Sequence, residues 1–186
     1  MDIWSILENK IKGKNITIVY PESNDERILG AAARHAKDGL LVPVLVGEVE
    51  ATQALAKEKG IDLGNIEIID PKTYADFDTM VASFVERRKG KVDEAKARTM
   101  LLDPNYFGTM LVYMGKADGM VSGAVHSTGD TVRPALQIVK MAPGASRVSG
   151  AMVMIKGEER YLFSDVAINI TTDAQAMGEI AVVSAA

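Results

Sequence analysis

The 186-residue sequence predicts an α/β fold, in which the strands of a parallel sheet alternate with helices that cross over between them. Three observations carry this prediction. Residues 1–70 alternate three times between a segment with helical spacing of apolar residues and a short apolar run typical of a buried strand. The short runs are bounded by proline or glycine, and capping residues precede the helical segments.

The first strand and helix follow a short opening helix. Residues 2–14 place their isoleucines and leucine on one predicted helix face. The run ITIVYPE predicts a strand that ends at Pro21. The helix in SNDERILGAAARHAKDG begins at one of three possible capping residues, 23–25, and ends at Gly39.

The next segments repeat this order. LVPVLVG predicts a strand, EVEATQALAKEKG predicts a helix that ends at Gly60, and IEIID predicts a strand bounded by Pro71. DFDTMVASFVERRKG, VDEAKARTMLLD and PNYFGTMLVYMGKADG predict three consecutive helices. GMVSGA predicts another buried strand, and TGDTVRPALQIVKM predicts a helix with Pro134 in its first turn, where the missing N–H has little cost.

The character of the chain then changes, and we divide it into two domains. Residues 1–143 form a first α/β domain, and residues 144–186 form the start of a second. VSGAMVMIKGEERYLFSDVAIN predicts an antiparallel hairpin, and TTDAQAMGEIAVVSAA predicts a helix with a capped start and no stop signal. Because about 40 residues are few for a domain, we expect the second domain to be incomplete here and the sequence to be a fragment.

The composition excludes several classes of protein. A net charge of −4 gives no basic field for nucleic acid, and no apolar run has transmembrane length. The first residues lack the order of a signal peptide, and without cysteine there is no disulfide framework. No P-loop, dinucleotide fingerprint, zinc motif or calcium loop occurs. We therefore expect a cytoplasmic protein that binds no metal, membrane or nucleic acid.

The strongest functional signal is SGAVHSTGDTVRPALQIVK, residues 122–140. It places a turn rich in glycine and hydroxyl residues between a buried strand and a helix start. Free backbone N–H groups and the positive end of the helix dipole favour an anion there. Gly123 lets a ligand approach the backbone, while Ser127 and Thr128 add donors. Arg133 adds a guanidinium that suits phosphate.

A capped turn without a ligand is the alternative for this stretch. Thr128 or Asp130 would then cap the helix, and Arg133 would be solvated. Asp130 would repel an anion at its own position. For His126, the residues favour a turn histidine hydrogen-bonded to backbone over a general base or a phosphate donor.

Two other arginine segments each have two interpretations. Arg27, in PESNDERILGAA, follows a strand, so it either faces a ligand at the carboxyl end of the sheet or pairs with a neighbouring acid. VERRKGK, residues 85–91, holds Arg87 and Arg88 in a basic cluster that would attract a polyphosphate. The residues alone favour a solvated helix end that complements the helix dipole.

These stretches resemble the bacterial phosphate acetyltransferase (phosphotransacetylase) family, which includes phosphate butyryltransferases. The matching stretches are PESNDERILGAA, DPKTYADFD, VERRKGK, YFGTMLVYMGKADGMVSGAVHSTGDTVRPALQIVK and FSDVAINI. The resemblance extends over essentially the whole sequence. It implies two domains of three-layer α/β/α architecture, similar to the isocitrate and isopropylmalate dehydrogenases, with a cleft between them.

The resemblance also implies which residues bind the substrates. Residues that match family positions for substrate or coenzyme A binding, or that belong to the turn lining the cleft, are Arg27, Arg88, Gly123, Ser127, Thr128 and Arg133. Arg87 is the alternative to Arg88 at this family position, because a shift of one residue in the match would place it there. The family's catalytic serine, arginine and aspartate have no counterpart here, so we expect them beyond Ala186 and expect the isolated chain to be inactive.

The implied activity is reversible acetyl transfer between acetyl phosphate and coenzyme A, in acetate metabolism, by a cytoplasmic homodimer. Coenzyme A is then a substrate, and no cofactor or metal is required. Phosphate butyryltransferase is one alternative, and a non-catalytic module that binds coenzyme A or another anion is an alternative of a different class. The related domain of some malic enzymes is disfavoured, because Met1 coincides with the family's own start. An unfinished sheet edge should make the isolated chain aggregate or pair with a partner.

Overall fold

The computed structural model describes residues 3–143 and 145–185. These residues form two compact units, one spanning Ile3–Val139 and a smaller one that begins at Lys140. The predicted domain boundary between residues 143 and 144 stays a prediction about the whole protein, because the two units are defined by contacts within this chain alone.

The first unit is built around a four-stranded parallel sheet. Its elements in chain order are α1 (Ile3–Ile11), β1 (Thr17–Tyr20), α2 (Glu26–Lys37), β2 (Val42–Val46), α3 (Val49–Glu58), β3 (Glu67–Ile69), α4 (Phe77–Arg88), α5 (Glu94–Leu101), α6 (Pro104–Tyr113), β4 (Gly119–Met120) and α7 (Thr128–Ile138). The strand order is β3-β2-β1-β4, and each neighbouring pair is parallel. The predicted α/β fold is confirmed.

Helices cover both faces of this sheet. Val19 and Val46 pack in one apolar cluster with buried residues from α4, α5, α6 and α7, among them Phe84. Tyr20 and Leu45, their neighbours along the strands, pack instead in a second cluster with α2 and α3. Since successive strand residues point to opposite faces, the unit has three layers. The specific likeness to the isocitrate and isopropylmalate dehydrogenases stays a prediction.

Helix α6 lies very close to the sheet. A Cβ built on Gly108 would come within 2.8 Å of Met120 Sδ and 3.0 Å of Val19 Cγ1. The start of α6 is fixed by Asp103, whose side chain accepts the first free backbone N–H groups of the helix, and by proline at the first helical position. This arrangement holds the first turn of α6 beside the end of β4.

Two details of the predicted elements are wrong. GMVSGA forms strand only at Gly119–Met120. The Val121 N–H still donates to the Val19 carbonyl of β1, but the N–H groups of Gly123 and Ala124 turn towards a side chain. Pro134 is the seventh residue of α7 and not part of its first turn, because the helix already begins at Thr128. Its buried ring leaves the carbonyl of Asp130 without the usual intrahelical donor.

The second unit contains a hairpin and a helix. Its elements are β5 (Ala151–Lys156), β6 (Glu159–Ser164) and α8 (Ala174–Ala185). The strands pair antiparallel throughout, which confirms the predicted hairpin. Large apolar side chains on both hairpin faces are 40% to 59% exposed. They are Met152, Val153, Met154, Ile155, Tyr161, Leu162 and Phe163.

Candidate functional site

The candidate site lies where β1 and β4 end. Strand β4 pairs with β1 on the side opposite β2, so the strand order reverses direction between β1 and β4. In open parallel sheets, such a reversal leaves a crevice at the carboxyl ends of the two strands, and ligands bind there. The segments that follow β1 and β4, residues 21–27 and 121–128, meet at this crevice.

Glu22 occupies the crevice with a fully buried side chain. Its Oε2 accepts the backbone N–H groups of Gly123 and Ala124, at 3.0 and 2.8 Å. Its Oε1 accepts those of Val125 and His126, at 2.9 and 3.0 Å. Gly123 has a φ of 110°, a conformation that residues with a Cβ rarely adopt. The loop can therefore turn four successive N–H groups towards one carboxylate.

The charge of Glu22 is stabilised by this cage. Burial alone would raise the pKa of Glu22, but hydrogen bonds from the Val125 N–H, the His126 side chain and the Ala124 N–H outweigh it. They lower the pKa from 4.5 to about 2. Glu22 is thus ionised at neutral pH, and the four backbone donors of residues 123–126 bind the protein's own carboxylate.

His126 adds a fifth hydrogen bond to the same carboxylate. Its Nδ1 lies 2.6 Å from Glu22 Oε1. Because an ionised carboxylate can only accept, Nδ1 carries the proton. The predicted hydrogen bond from a turn histidine to backbone is wrong, since the partner is this buried side chain. The Nε2 atom makes no hydrogen bond within residues 3–143 and 145–185.

Helix α7 begins directly after this loop. Ser127 Oγ accepts the N–H of Asp130 at 3.2 Å and donates to Asp130 Oδ2 at 2.7 Å. Ser127 is therefore the cap, and the alternatives Thr128 and Asp130 are wrong. The N–H groups of Thr128 and Gly129 have no partner in the described part of the chain. They are the donors that this helix start leaves for an external anion.

Arg27 bridges the two segments of the crevice. Its Nε and Nη2 donate to the two carboxylate oxygens of Asp25, at 2.9 and 2.8 Å. Its Nη2 also donates to the carbonyl oxygen of Ala124, at 3.0 Å. Hydrogen bonds from the Arg27 side chain lower the pKa of Asp25 to about 2. Arg27 thus pairs with a neighbouring acid and also lies at the crevice, and its role in ligand binding stays a prediction.

Arg133 lies in the second turn of α7, with 57% of its side chain exposed. Its Nη1 is 3.3 Å from Asp130 Oδ1, so the guanidinium is paired with an acid of its own helix. Burial raises the pKa of Tyr106 on α6, while the charges of Arg133 and Arg88 lower it. Both arginines therefore lie within electrostatic reach of the same phenol.

Arg87 and Arg88 bind the other end of α7. Arg87 donates through Nε to the Ile138 carbonyl at 2.5 Å and through Nη2 to the Val139 carbonyl at 2.9 Å. Arg88 Nη1 donates to the Gln137 carbonyl at 3.2 Å. The predicted solvated helix end is wrong, because these cations stabilise the negative end of the α7 dipole. The buried Arg88 Nε has no partner among the described residues.

The structure brings four of the six predicted binding residues to the crevice. Arg133 follows them by one turn along α7, and Arg88 lies at the far end of that helix. Their roles in substrate binding stay predictions. The four residues at the crevice are Arg27, Gly123, Ser127 and Thr128.

Sequence reasoning missed Glu22 as the centre of the site. The signal was an acidic residue directly after a buried strand, a position that faces the ligand edge of a parallel sheet. Its partners lie more than 100 residues away, at Gly123–His126. The first turn of α6 was also missed. It contributes Asn105, whose Oδ1 accepts from Ser122 at 2.6 Å and whose buried Nδ2 has no partner among the described residues.

A groove of about 1210 Å³ lies at the opposite, amino ends of β2 and β3. The described residues contain no group of three or more histidines and acids that could hold a metal ion. Among the described helices, none has both the length and the apolar character needed to span a membrane.

Fold and site together define a class of protein. It is an α/β protein with arginines and a helix start at the reversal point of a parallel sheet, a place that suits anionic ligands. The chain belongs to the phosphate acetyl/butaryl transferase family, whose family model matches residues 2–186.

Curated relatives and solved structures agree with this membership. The chain is 53% identical over 184 residues to the phosphate acetyltransferase of Bacillus subtilis, which covers 99% of this chain and 57% of that protein. It is 54% identical to the phosphate acetyltransferase of Staphylococcus epidermidis, and the match covers 99% of this chain and 56% of that protein. A phosphotransacetylase from Streptococcus pyogenes superposes with a TM-score of 0.91 at 53% identity, over 98% of this chain and 57% of that one. The EutD phosphotransacetylase from Staphylococcus aureus superposes with a TM-score of 0.90 at 53% identity, over 96% of this chain and 54% of that one. The chain thus spans just over half the length of these relatives.

Proposed function

We propose that the whole protein containing this chain is a phosphate acetyltransferase, which transfers acetyl groups reversibly between acetyl phosphate and coenzyme A. The observation that carries the proposal is the 53% identity, over 99% of this chain, to a relative of that name. The crevice supports it. Arg27, Arg133 and the free N–H groups of Thr128 and Gly129 suit a phosphate group.

The proposed chemistry is a direct displacement. The coenzyme A thiolate attacks the acetyl carbonyl, a carbon–sulfur bond forms, and the carbon–oxygen bond to phosphate breaks as phosphate leaves with the electron pair. The developing oxyanion needs hydrogen-bond donors, and the leaving phosphate needs cations. Arg27 and Arg133 are paired with Asp25 and Asp130 in the free protein, so phosphate competes with these carboxylates for the guanidinium N–H groups. No residue of this chain is assigned to deprotonate the thiol.

The proposal also covers the substrates, the oligomeric state and the cellular location of the protein. Coenzyme A is a substrate, and the reaction needs neither cofactor nor metal. We propose a homodimer, as the resemblance to the phosphate acetyltransferase family implies. Because acetyl phosphate is the proposed substrate, the protein would act in acetate metabolism. The sequence without cysteine favours the cytoplasm.

The test is the formation of thioester from coenzyme A by the whole purified protein. Acetyl phosphate and butyryl phosphate are supplied separately, and the two values of kcat/KM are compared. We expect acetyl phosphate to be preferred, because the curated relatives are named for the acetyl group. Preference for butyryl phosphate would assign the protein to the other branch of the family. Binding of coenzyme A without any thioester would favour the non-catalytic module.

A further inference from the structure

Arg147 has no partner within the described part of this chain. It lies in the second unit, shortly before β5. Its buried Nε meets no hydrogen-bond acceptor, and its guanidinium forms no ion pair among residues 3–143 and 145–185. An arginine stays charged in a protein, and enclosing part of a charge without a counter-charge costs free energy. An anion from outside this chain would remove that cost.

The side chain of Arg147 lines a groove of about 550 Å³ within the second unit. The residues that line this α8 groove come from segment 145–151 and from the last turns of α8, residues 178–184. Two of them, Val182 and Val183, are 72% and 68% exposed. The groove therefore combines apolar side chains that face water with a cation that has no partner among the described residues.

Glu179 is the other charged residue of the α8 groove. Its carboxylate accepts hydrogen bonds from Ser146 and Gln175. A phosphate-bearing ligand would meet this negative charge and find a single cation, so it fits the groove poorly. A polypeptide segment with aliphatic side chains and one carboxylate fits it well. Such a segment would cover the valines, and its carboxylate would accept two N–H groups of the guanidinium.

The length of the relatives indicates which polypeptide this is. The chain spans just over half of the relatives that it matches. The second unit, which begins at Lys140, is small for a domain, and the length outside this chain is sufficient to complete it. The β5–β6 hairpin of the same unit also exposes both of its apolar faces. The rest of the same protein therefore accounts for the groove and the hairpin together.

We propose that a segment of the same polypeptide, outside residues 1–186, fills the α8 groove and places an aspartate or glutamate carboxylate on the Arg147 guanidinium. The contact joins the second unit to the rest of the protein. It takes no part in acetyl transfer and so goes beyond the proposed function. Because Val182 and Val183 would shield the pair from water, removing one partner would leave the other enclosed and uncompensated.

Photocrosslinking in the whole protein identifies what fills the groove. A small diazirine amino acid replaces Val183, and a matched protein carries it at Leu102, an apolar residue of the first unit that is 47% exposed. After irradiation, denaturing electrophoresis separates one-chain from two-chain products, and mass spectrometry identifies the attached peptide. We expect position 183 to give a one-chain product attached to a peptide outside residues 1–186, and position 102 to give none. Two-chain products at position 183, which would indicate a second copy, or the absence of any peptide from outside residues 1–186, would overturn the proposal.

Thermal unfolding at two pH values tests the carboxylate on Arg147. Arg147→Met in the whole protein leaves that carboxylate enclosed and unpaired, which raises its pKa. The unfolding midpoint should fall by about 10 °C at pH 7 and by clearly less at pH 5, because protonation neutralises the unpaired group. Arg34→Met removes an exposed arginine paired with an acid of its own helix, and it should match the wild type at both pH values.

The same comparison in a Glu179→Gln background excludes Glu179 as the group that titrates. An R147M protein with no loss, or with an equal loss at the two pH values, would overturn the carboxylate partner. Neither the crosslinking nor the unfolding uses substrate. A protein that forms no thioester therefore contradicts the proposed function and leaves both measurements valid.

Discussion

At the scale of single residues, Glu22 connects two segments of the chain that follow the paired strands β1 and β4. It lies just beyond β1, after Pro21, and it holds the backbone of residues 123–126, which follows β4. Backbone N–H groups at such a turn would otherwise attract an external anion. Because the protein supplies that anion itself, the donors left for a ligand are those of Arg27 and the α7 start. The free donors of this edge therefore lie at the helix start and not in the loop.

Acid should destabilise the protein through Glu22. Its pKa in the folded state is about 2, below the ordinary 4.5, so the stabilisation is fully present above about pH 4.5 and is lost as the pH falls towards 2. A shift of this size corresponds to roughly 3 kcal/mol. We expect the free energy of unfolding, measured with denaturant at a series of pH values, to fall across this window.

Two variants make that prediction specific. Glu22→Gln should flatten the dependence of the unfolding free energy on pH in this window, because the titrating carboxylate is gone. Glu26→Gln, the exposed control, should keep the wild-type slope. An E22Q protein with the full slope would show that another group is responsible.

The role of a residue could be predicted where the groups that it interacts with lie close to it in the sequence. The donors of residues 122–133 and the arginine at position 27 follow from glycine, hydroxyl and basic residues near a helix start. The Glu22 contact could not be predicted, because its partners are more than 100 residues away and backbone N–H groups leave no trace in the sequence. His126 was misinterpreted for the same reason, since its partner is that distant carboxylate.

At the scale of elements, α7 is stabilised at both ends by side chains. Ser127 caps its start, and Arg87 and Arg88 bind the carbonyl groups at its end. These contacts matter more than usual because Pro134 interrupts the hydrogen-bond ladder in the middle of the helix. The helix that presents Arg133 therefore depends on its two ends for its position.

Removing the cap should weaken this helix. Ser127→Ala removes the acceptor for the Asp130 N–H and should lower the free energy of unfolding by about 1 kcal/mol. Ser127→Asn, which keeps a capping oxygen, should cost only a few tenths of that value. Denaturant unfolding of both variants checks this. Equal losses would mean that the serine acts through another contact.

The elements themselves were predicted well where their pattern was periodic. The alternating strands and helices of residues 16–69 follow from apolar spacing and terminal glycine or proline, and the hairpin follows from its two apolar runs. β4 is shorter than predicted, because the distant Glu22 draws the following backbone away from the sheet. The position of Pro134 was wrong because the cap is Ser127, which lies one residue before Thr128 and three residues before Asp130.

At the scale of the whole molecule, the β5–β6 hairpin exposes apolar side chains on both faces. Directly opposite residues of an antiparallel pair share a face. Met152 and Phe163 form one such pair, and Val153 and Leu162 form another on the reverse face. Two exposed apolar faces on one small sheet are typical of a surface that another polypeptide covers.

The isolated chain should therefore self-associate through this hairpin. Phe163→Lys places a charge among the exposed apolar residues and should shift the chain towards monomer in sedimentation velocity experiments. Glu158→Lys, in the turn between the strands, changes the charge without altering either apolar face and is the control. A wild-type chain that remains a monomer at high concentration would contradict this prediction.

The central claim is that the edge of the sheet beside α7 binds the phosphate group during acetyl transfer. The most direct measurement is kcat/KM for acetyl phosphate in the whole protein carrying Arg133→Gln. The control is Arg34→Gln, since Arg34 is likewise exposed and paired with an acid of its own helix. Losing charge-assisted hydrogen bonds worth about 1.5–3 kcal/mol should lower kcat/KM by roughly 10- to 100-fold in R133Q, while R34Q should match the wild type. Wild-type kinetics in R133Q would contradict the account.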